Sequence, residues 1–215
     1  SGSSTTDTSN GTVVTSFSEL TAAVTKAEKA GGGIVYVKGS SISCTAQLAL
    51  KASNANVSII GVKNSDGTYP VLDFSAFRSA YIGKATTDSE VGIRISGSKY
   101  TIKNLIIQKA PDNGIQIKGS SAGNNTIENC IVRYNNDAGV QITGGAYSNT
   151  MRFVYSYRNC DVYTLGGNAD GFAPKLGAGK GNVFYGCYSW ENSDDGWDSY
   201  DKDSLTYNLT YTNCA

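Results

Sequence analysis

Two short segments of the chain bring several aspartates close to glycines: NADGFAPKLG at residues 168–177 and NSDDGWDSYD at residues 192–201. The whole chain has 18 acidic and 18 basic residues and no histidine, so this acidity is local. Without histidine, imidazole bases, His-activated nucleophiles and His-ligated zinc are excluded. Grouped carboxylates repel one another, so they titrate at a raised pKa, pair with a cationic side chain or bind a hard cation. Calcium suits such an all-oxygen set of ligands.

A glycine-centred repeat explains why these aspartates should meet. The segments VGIRI, NGIQI, AGVQI, DGFAP and DGWDS align on glycines that recur at intervals of roughly 20 to 30 residues. The residue before the glycine is Asp170 in one copy and Asp195 in the next. Asp194 precedes Asp195, and Asp198 occupies an outward position two residues after the glycine. We therefore expect these four residues to form an aspartate cluster on one face, with no lysine or arginine between them.

Self-similarity at this period, with two or three short strands per copy, predicts an all-β fold, a parallel β-helix. The leucine-rich repeat has a similar period, but its leucine consensus is absent. Neighbouring strands of such a solenoid lie about 4.8 Å apart, so one cation can bridge aspartates of successive coils. We assign residues 1–11 to a linker or flexible N-terminus and residues 12–215 to a single β-helix domain.

The predicted elements are one helix followed by many short strands. Ser16 and Glu19 fit a capping box, and residues 16–30 have the apolar spacing of a helix that would cap the N-terminal end of the solenoid. No second helix is predicted after it. Short apolar alternations between Gly, Asn, Ser and Asp predict strands at 34–37, 57–60, 91–95, 100–107, 114–117, 126–132, 139–142 and 182–190.

The repeat also assigns structural roles to residues that could be mistaken for ligands. Trp197 falls at an inward position and is expected in the core. Five cysteines without a CxxC motif exclude a zinc ribbon and a dithiol motif. Tyr155, Tyr157 and Tyr163 could stack on a sugar or simply be half-buried strand residues. Two columns are expected in successive coils, buried thiols at Cys130, Cys187 and Cys214 and an asparagine ladder at Asn135, Asn159 and Asn192.

Composition limits the partners. Balanced charge and a sequence pI of about 6.2 argue against nucleic acid, which usually needs a basic surface. The sequence lacks a run of apolar residues long enough to span a bilayer, so a membrane partner is not expected either. We expect a monomer.

The stretch 166–201, GGNADGFAPKLGAGKGNVFYGCYSWENSDDGWDSYD, together with DNGIQI and TIENC upstream, resembles the family 9 polysaccharide lyases. These are pectate lyases built as a right-handed parallel β-helix with an asparagine ladder. The resemblance implies that Asp170, Asp194, Asp195 and Asp198 hold a catalytic calcium ion. It also implies β-elimination on polygalacturonate, an acidic polysaccharide, and a secreted protein.

The resemblance leaves the catalytic base unassigned. In the family the base is a lysine in a Gly-Phe-Lys sequence of the coil after the acidic cluster, and that coil would lie beyond Ala215. The β-helix domain is therefore expected to be truncated at its C-terminal end, and the chain to be a piece of a longer lyase or an inactive relative. Lys175 is the lysine nearest to the cluster in the repeat, and it is predicted to contact a substrate carboxylate.

Three alternatives stay open at this point. The aspartates could form a solvated acidic turn or a purely structural calcium site. The chain could be a non-catalytic, calcium-stabilised solenoid that binds acidic polysaccharide. It could also be a metal-independent hydrolase resembling a polygalacturonase, which would use paired acids and release saturated products.

Overall fold

A computed structural model describes residues 6–81, 83–201 and 209–215 of the chain. In these residues the chain winds through three parallel sheets, and strands of successive coils pair in register. This is the parallel β-helix that the repeat predicts. Residues 1–5 of the predicted linker lie outside the described part, and the proposed limits of the domain stay a prediction.

An eight-stranded sheet runs along the first side of the solenoid. Its strands, in spatial order, are β1 (Thr12–Val14), β2 (Gly33–Val37), β5 (Val57–Gly61), β8 (Tyr100–Lys103), β11 (Thr126–Glu128), β14 (Thr150–Arg152), β17 (Val183–Tyr185) and β19 (Thr210–Thr212).

A six-stranded sheet forms the second side. It contains β3 (Ser41–Ser43), β6 (Val71–Asp73), β9 (Ile106–Gln108), β12 (Ile131–Arg133), β15 (Tyr155–Tyr157) and β18 (Tyr188–Trp190). A five-stranded sheet forms the third side, with β4 (Leu48–Leu50), β7 (Ile93–Ile95), β10 (Ile115–Lys118), β13 (Val140–Thr143) and β16 (Phe172–Pro174).

The glycine-centred alignment is confirmed by the pairing in the five-stranded sheet. Ile115 lies opposite Val140, and Val140 lies opposite Phe172. An isolated bridge joins Phe172 to Trp197, and the two rings stack with centroids 4.3 Å apart. Trp197 therefore packs against the core, as predicted.

Three segments predicted as continuous strands are each divided in two, and in residues 182–190 the break lies at Gly186. The break in residues 100–107 lies at Asn104, and the break in residues 126–132 at Asn129. Both asparagines have positive φ, 59° and 51°, a left-handed conformation that asparagine tolerates better than most residues. The chain turns there from the eight-stranded into the six-stranded sheet, so alternation alone could not reveal the corner.

The predicted N-terminal helix is present as α1 (Phe17–Lys29). The Ser16 hydroxyl accepts a hydrogen bond from the Glu19 amide at 3.2 Å, as a capping box requires. The Glu19 carboxylate, however, accepts from the backbone N–H of Thr15 and not of Ser16. Leu20 and Val24 bury one face of the helix in the core. The prediction of no second helix was wrong, because a helix of a single turn, α2 (Ser75–Arg78), follows β6.

The asparagine ladder is confirmed, and a second ladder accompanies it. Asn135 donates to the Oδ1 of Asn159 at 3.0 Å, and Asn159 donates to the Oδ1 of Asn192 at 2.8 Å. Both ladders bond side-chain amides of successive coils to one another, so buried amides are satisfied without water. The second, which was not predicted, consists of Asn125, Asn149 and Asn182.

The predicted thiol column is present with one difference. Cys130 and Cys187 are buried, whereas Cys214 is partly exposed, and all three are free thiols. Cys44 is buried and Cys160 exposed, both also unpaired. Among the described residues, no helix is both long and apolar enough to cross a bilayer.

Candidate metal centre

The cluster forms where the chain enters the five-stranded sheet. The Gly171 amide donates to the Asp195 carbonyl at 2.9 Å, and the Phe172 amide donates to the Gly196 carbonyl at 3.0 Å. These bonds place Asp170 directly beside Asp195 in the neighbouring coil. The alignment of the two aspartates therefore follows from the pairing of the repeat.

Three of the four predicted ligands converge. Asp170, Asp194 and Asp195 each offer a carboxylate oxygen, and these oxygens all lie within 4.8 Å of one another. We call these residues the three-carboxylate group. Asp170 is fully buried, whereas Asp194 and Asp195 are exposed, so the group has one fixed, enclosed side and one side open to solvent.

Backbone amides hold two of these carboxylates in place. The Asp195 amide donates to Oδ1 of Asp170 at 3.2 Å, and the Asn168 amide donates to Oδ2 of Asp194 at 2.9 Å. Asn168 has φ of 68°, and this left-handed backbone turns its amide towards Asp194. The NADG segment thus supplies the Asp170 carboxylate and a backbone amide that holds the Asp194 carboxylate of the next coil.

Asp198 has a different environment. Its Oδ2 accepts from Nζ of Lys175 at 2.7 Å, and its Oδ1 accepts from the Tyr200 amide at 2.8 Å. Lys175 also bonds Oδ2 of Asp170 at 2.8 Å. The expectation of a cluster without lysine or arginine between its members was therefore wrong. Lys175 follows β16 directly, and its long side chain reaches across to the outward Asp198 of the adjacent coil.

Burial and pairing act in opposite directions on these groups. Burial raises the pKa of Asp170, and the hydrogen bonds and charge of Lys175 offset only part of this. Burial by itself lowers the pKa of Lys175, but the hydrogen bonds and charges of Asp170 and Asp198 outweigh it and raise that pKa. The ammonium is therefore firmly charged.

A column of aspartates continues from the centre along the solenoid. Asp112, Asp137 and Asp161 take the position of Asp194 in the three preceding coils, because each lies four residues after the last residue of a paired strand of the six-stranded sheet. Burial raises the pKa of Asp137 to about 7, and the charges of Asp112 and Asp161 add to the effect. No group of metal-ligating oxygens forms there among the described residues.

The outward face of the five-stranded sheet forms a floor beside the cluster. Gln141 lies on it and accepts from Gln116 at 2.8 Å. Gln116 is only 3% exposed because Asp88 covers it, accepting from Gln116 at 3.0 Å and from Lys118 at 2.7 Å. The floor is therefore buried at Gln116, half-buried at Gln141 and buried again at Ala173, which pairs with Gln141 on the side of the cluster.

Tyr155 and Tyr157, which could stack on a sugar or be strand residues, lie on the six-stranded sheet, beyond the turn that carries the cluster. Tyr157 stacks on Trp190 with centroids 4.4 Å apart, and Tyr155 packs edge-on against Tyr188. Tyr163 is exposed in the turn before the NADG segment. The rings of the strands thus contact one another between coils, with Tyr155 exposed and Tyr157 half-buried.

The donor set fits calcium. The three-carboxylate group supplies only oxygen ligands, leaves solvent-facing positions for water or substrate, and has one rigid member and two accessible ones. Calcium accepts such sets because its coordination is flexible and rich in oxygen. Zinc in proteins usually takes nitrogen or sulfur ligands, which this group lacks.

Comparisons with known proteins agree with this architecture. A family model described as "Pel9A-like, right handed beta helix region" matches residues 2–215. Pectate lyase L of Paenibacillus polymyxa (strain SC2) is 35% identical over 182 residues, covering 80% of this chain and 38% of that protein. Pectate lyase L of Dickeya chrysanthemi is 32% identical over 132 residues, covering 61% of this chain and 29% of that protein.

The crystal structure of pectate lyase Pel9A matches with a TM-score of 0.66 at 28% identity, covering 84% of this chain and 44% of that chain. The chain thus spans less than half the length of each of these relatives. The family model covers almost the whole sequence. The chain therefore belongs to the family 9 pectate lyases, polysaccharide lyases built on a right-handed parallel β-helix.

Proposed function

We propose that this chain carries the calcium-binding part of the active site of a secreted pectate lyase, which cleaves polygalacturonate by β-elimination. The observation that carries the proposal is the three-carboxylate group, in which two successive coils offer oxygen ligands at one position. The family membership supports the reaction class. A monomeric state and a secreted location are part of the proposal, and the secreted location follows from the resemblance.

The chain's own residues have separate roles in this proposal. Asp170, Asp194 and Asp195 would hold the calcium ion, and Asp198 would join them when Lys175 releases it. A bound calcium ion would neutralise the uronate carboxylate and stabilise the negative charge that develops when the proton next to that carboxylate leaves. Lys175 would contact a substrate carboxylate from the floor of the five-stranded sheet. By resemblance, the base lysine belongs to the coil that follows the aspartate cluster.

Calcium titration tests the metal part of the proposal. We expect Asp195→Asn to weaken calcium binding by at least about tenfold, because a charged ligand becomes neutral while the backbone bonds of Asp195 are kept. Isothermal titration calorimetry measures the affinity. Asp66→Asn is the matched control, because Asp66 lies in an exposed turn about a hundred residues before the cluster, and this variant should bind calcium like the wild type. Equal affinities in all three proteins would contradict the site.

The reaction is tested with polygalacturonate, with and without calcium, by following the ultraviolet absorbance of unsaturated uronate. We expect the 215-residue chain to bind the polymer in calcium, and unsaturated product to appear once a coil with the base lysine follows Ala215. Saturated products that form equally well with a chelator would instead indicate the hydrolase. Calcium-dependent binding without product from the extended chain would indicate the non-catalytic solenoid.

A further inference from the structure

Lys175 already occupies two of the four carboxylates that the resemblance assigns to calcium. Its Nζ lies 2.8 Å from Oδ2 of Asp170 and 2.7 Å from Oδ2 of Asp198. The side chains are 12%, 0% and 19% exposed, respectively, so solvent screens these pairs only weakly. Both oxygens of Asp198 are engaged, since Oδ1 accepts from the Tyr200 amide.

This arrangement divides the aspartate cluster into two parts. Asp194 and Asp195 have no cationic side chain in contact among the described residues and face solvent. Asp170 belongs to both parts, because it is a member of the three-carboxylate group and a partner of Lys175. A calcium ion that used all four carboxylates would have to replace the ammonium, at least at Asp198.

We propose that Lys175 is a built-in counterion that competes with calcium for Asp170 and Asp198 and thereby lowers the calcium affinity of the site. The inference rests on the proposed function, because it assumes that calcium binds this cluster. Without the metal, the ammonium neutralises the buried Asp170, whose isolated charge would be costly. When calcium binds, it takes over that neutralisation and frees the ammonium, which can then face a substrate carboxylate.

This role has two consequences of opposite sign. Removing the charge of Lys175 leaves Asp170 unpaired, so the metal-free protein loses stability. The same change removes a positive charge next to the incoming cation and frees Asp198, so calcium should bind more tightly. A residue that only supported the fold would lower stability with and without calcium alike.

The test compares Lys175→Met, Lys175→Gln and Lys175→Arg with the wild type and with Lys51→Met, a control at an exposed position. Calorimetry gives calcium affinity, and thermal unfolding is followed with calcium and with chelator. We expect Lys175→Met to bind calcium about tenfold more tightly, with a lower Tm in chelator and a larger gain in Tm from calcium. Lys175→Arg should stay close to the wild type. Lys175→Gln removes the charge but keeps a hydrogen-bond donor, so it gives the same answer if the methionine variant does not fold.

A double-mutant cycle with Asp198→Asn locates the competition. The effect of Lys175→Met on calcium affinity should shrink in the Asp198→Asn background, because one of the contested carboxylates is gone. Calcium affinity that is unchanged or weaker in both Lys175→Met and Lys175→Gln overturns the inference while leaving the proposed function intact. No calcium binding by the wild type, in contrast, overturns the proposed function itself.

Discussion

At the scale of single residues, the centre shows how identical side chains acquire different tasks from their surroundings. Asp170 is buried and bonded to Lys175, whereas Asp195, one coil further, is exposed. The repeat predicts that they stack, and they do. Their surroundings differ because Lys175, which follows β16, and the amide of Asp195 both bond the carboxylate of Asp170.

Asp137 offers a prediction about pH. Its pKa is about 7 in the folded protein, raised by burial and by Asp112 and Asp161, with Lys175 acting in the opposite direction. The folded state then holds a proton that the unfolded state, with an ordinary aspartate pKa near 3.9, has lost. The free energy of unfolding therefore falls as pH rises from about 4 to 7, and the penalty is complete above about pH 7.

Asp137→Asn should remove this penalty and keep the bonds from Asn113 and from the Ala138 amide. We expect the variant to be more stable than the wild type by about 1 to 3 kcal/mol at pH 8, with a difference that vanishes near pH 4. Urea unfolding over this pH range measures it, and Asp66→Asn is the control. A difference that is independent of pH would show that Asp137 does not titrate in this window.

At the scale of elements, the asparagine ladders join the coils at the corners where strands end. Asn159 is fully buried, and its Oδ1 accepts from both the amide and the side chain of Asn135. One ladder could be predicted because its members share a position in the aligned repeat. The ladder that begins at Asn125 was not predicted, and its members directly precede strands of the eight-stranded sheet.

We expect Asn159→Ala to reduce the free energy of unfolding by about 2 to 4 kcal/mol, because two buried donors of Asn135 lose their acceptor. Chemical denaturation measures the change. Asn64→Ala removes an amide bonded to Thr68 in a surface turn and should cost about 0.5 kcal/mol or less. Equal losses in the two variants would mean that the ladder contributes no more than a surface turn does.

At the scale of the whole molecule, a ligand that bridges coils should stabilise the solenoid, because each coil contacts mainly its neighbours. Calcium at the three-carboxylate group would link the coil of Asp170 to that of Asp194 and Asp195. Linkage predicts a stabilisation of about 2.7 kcal/mol when free calcium is about 100 times its Kd.

Thermal unfolding with rising calcium checks this expectation. The Tm should increase with calcium, return to its starting value with chelator and respond less to magnesium, which prefers a smaller, more regular octahedral site. The Asp195→Asn variant should show a much smaller shift. An equal response of the wild type and this variant would place the stabilising calcium elsewhere.

The amino-acid sequence by itself determined the coil, its register and therefore which aspartates meet. These properties depend on the alternation of apolar and polar residues and on glycines at a common position, both of which are local and repeated. Only the tertiary structure decided how Lys175 and Asp198 are used. A lysine side chain is long and has many rotamers, so its direction depends on the charges of the neighbouring coil, here two carboxylates within 2.8 Å of one ammonium.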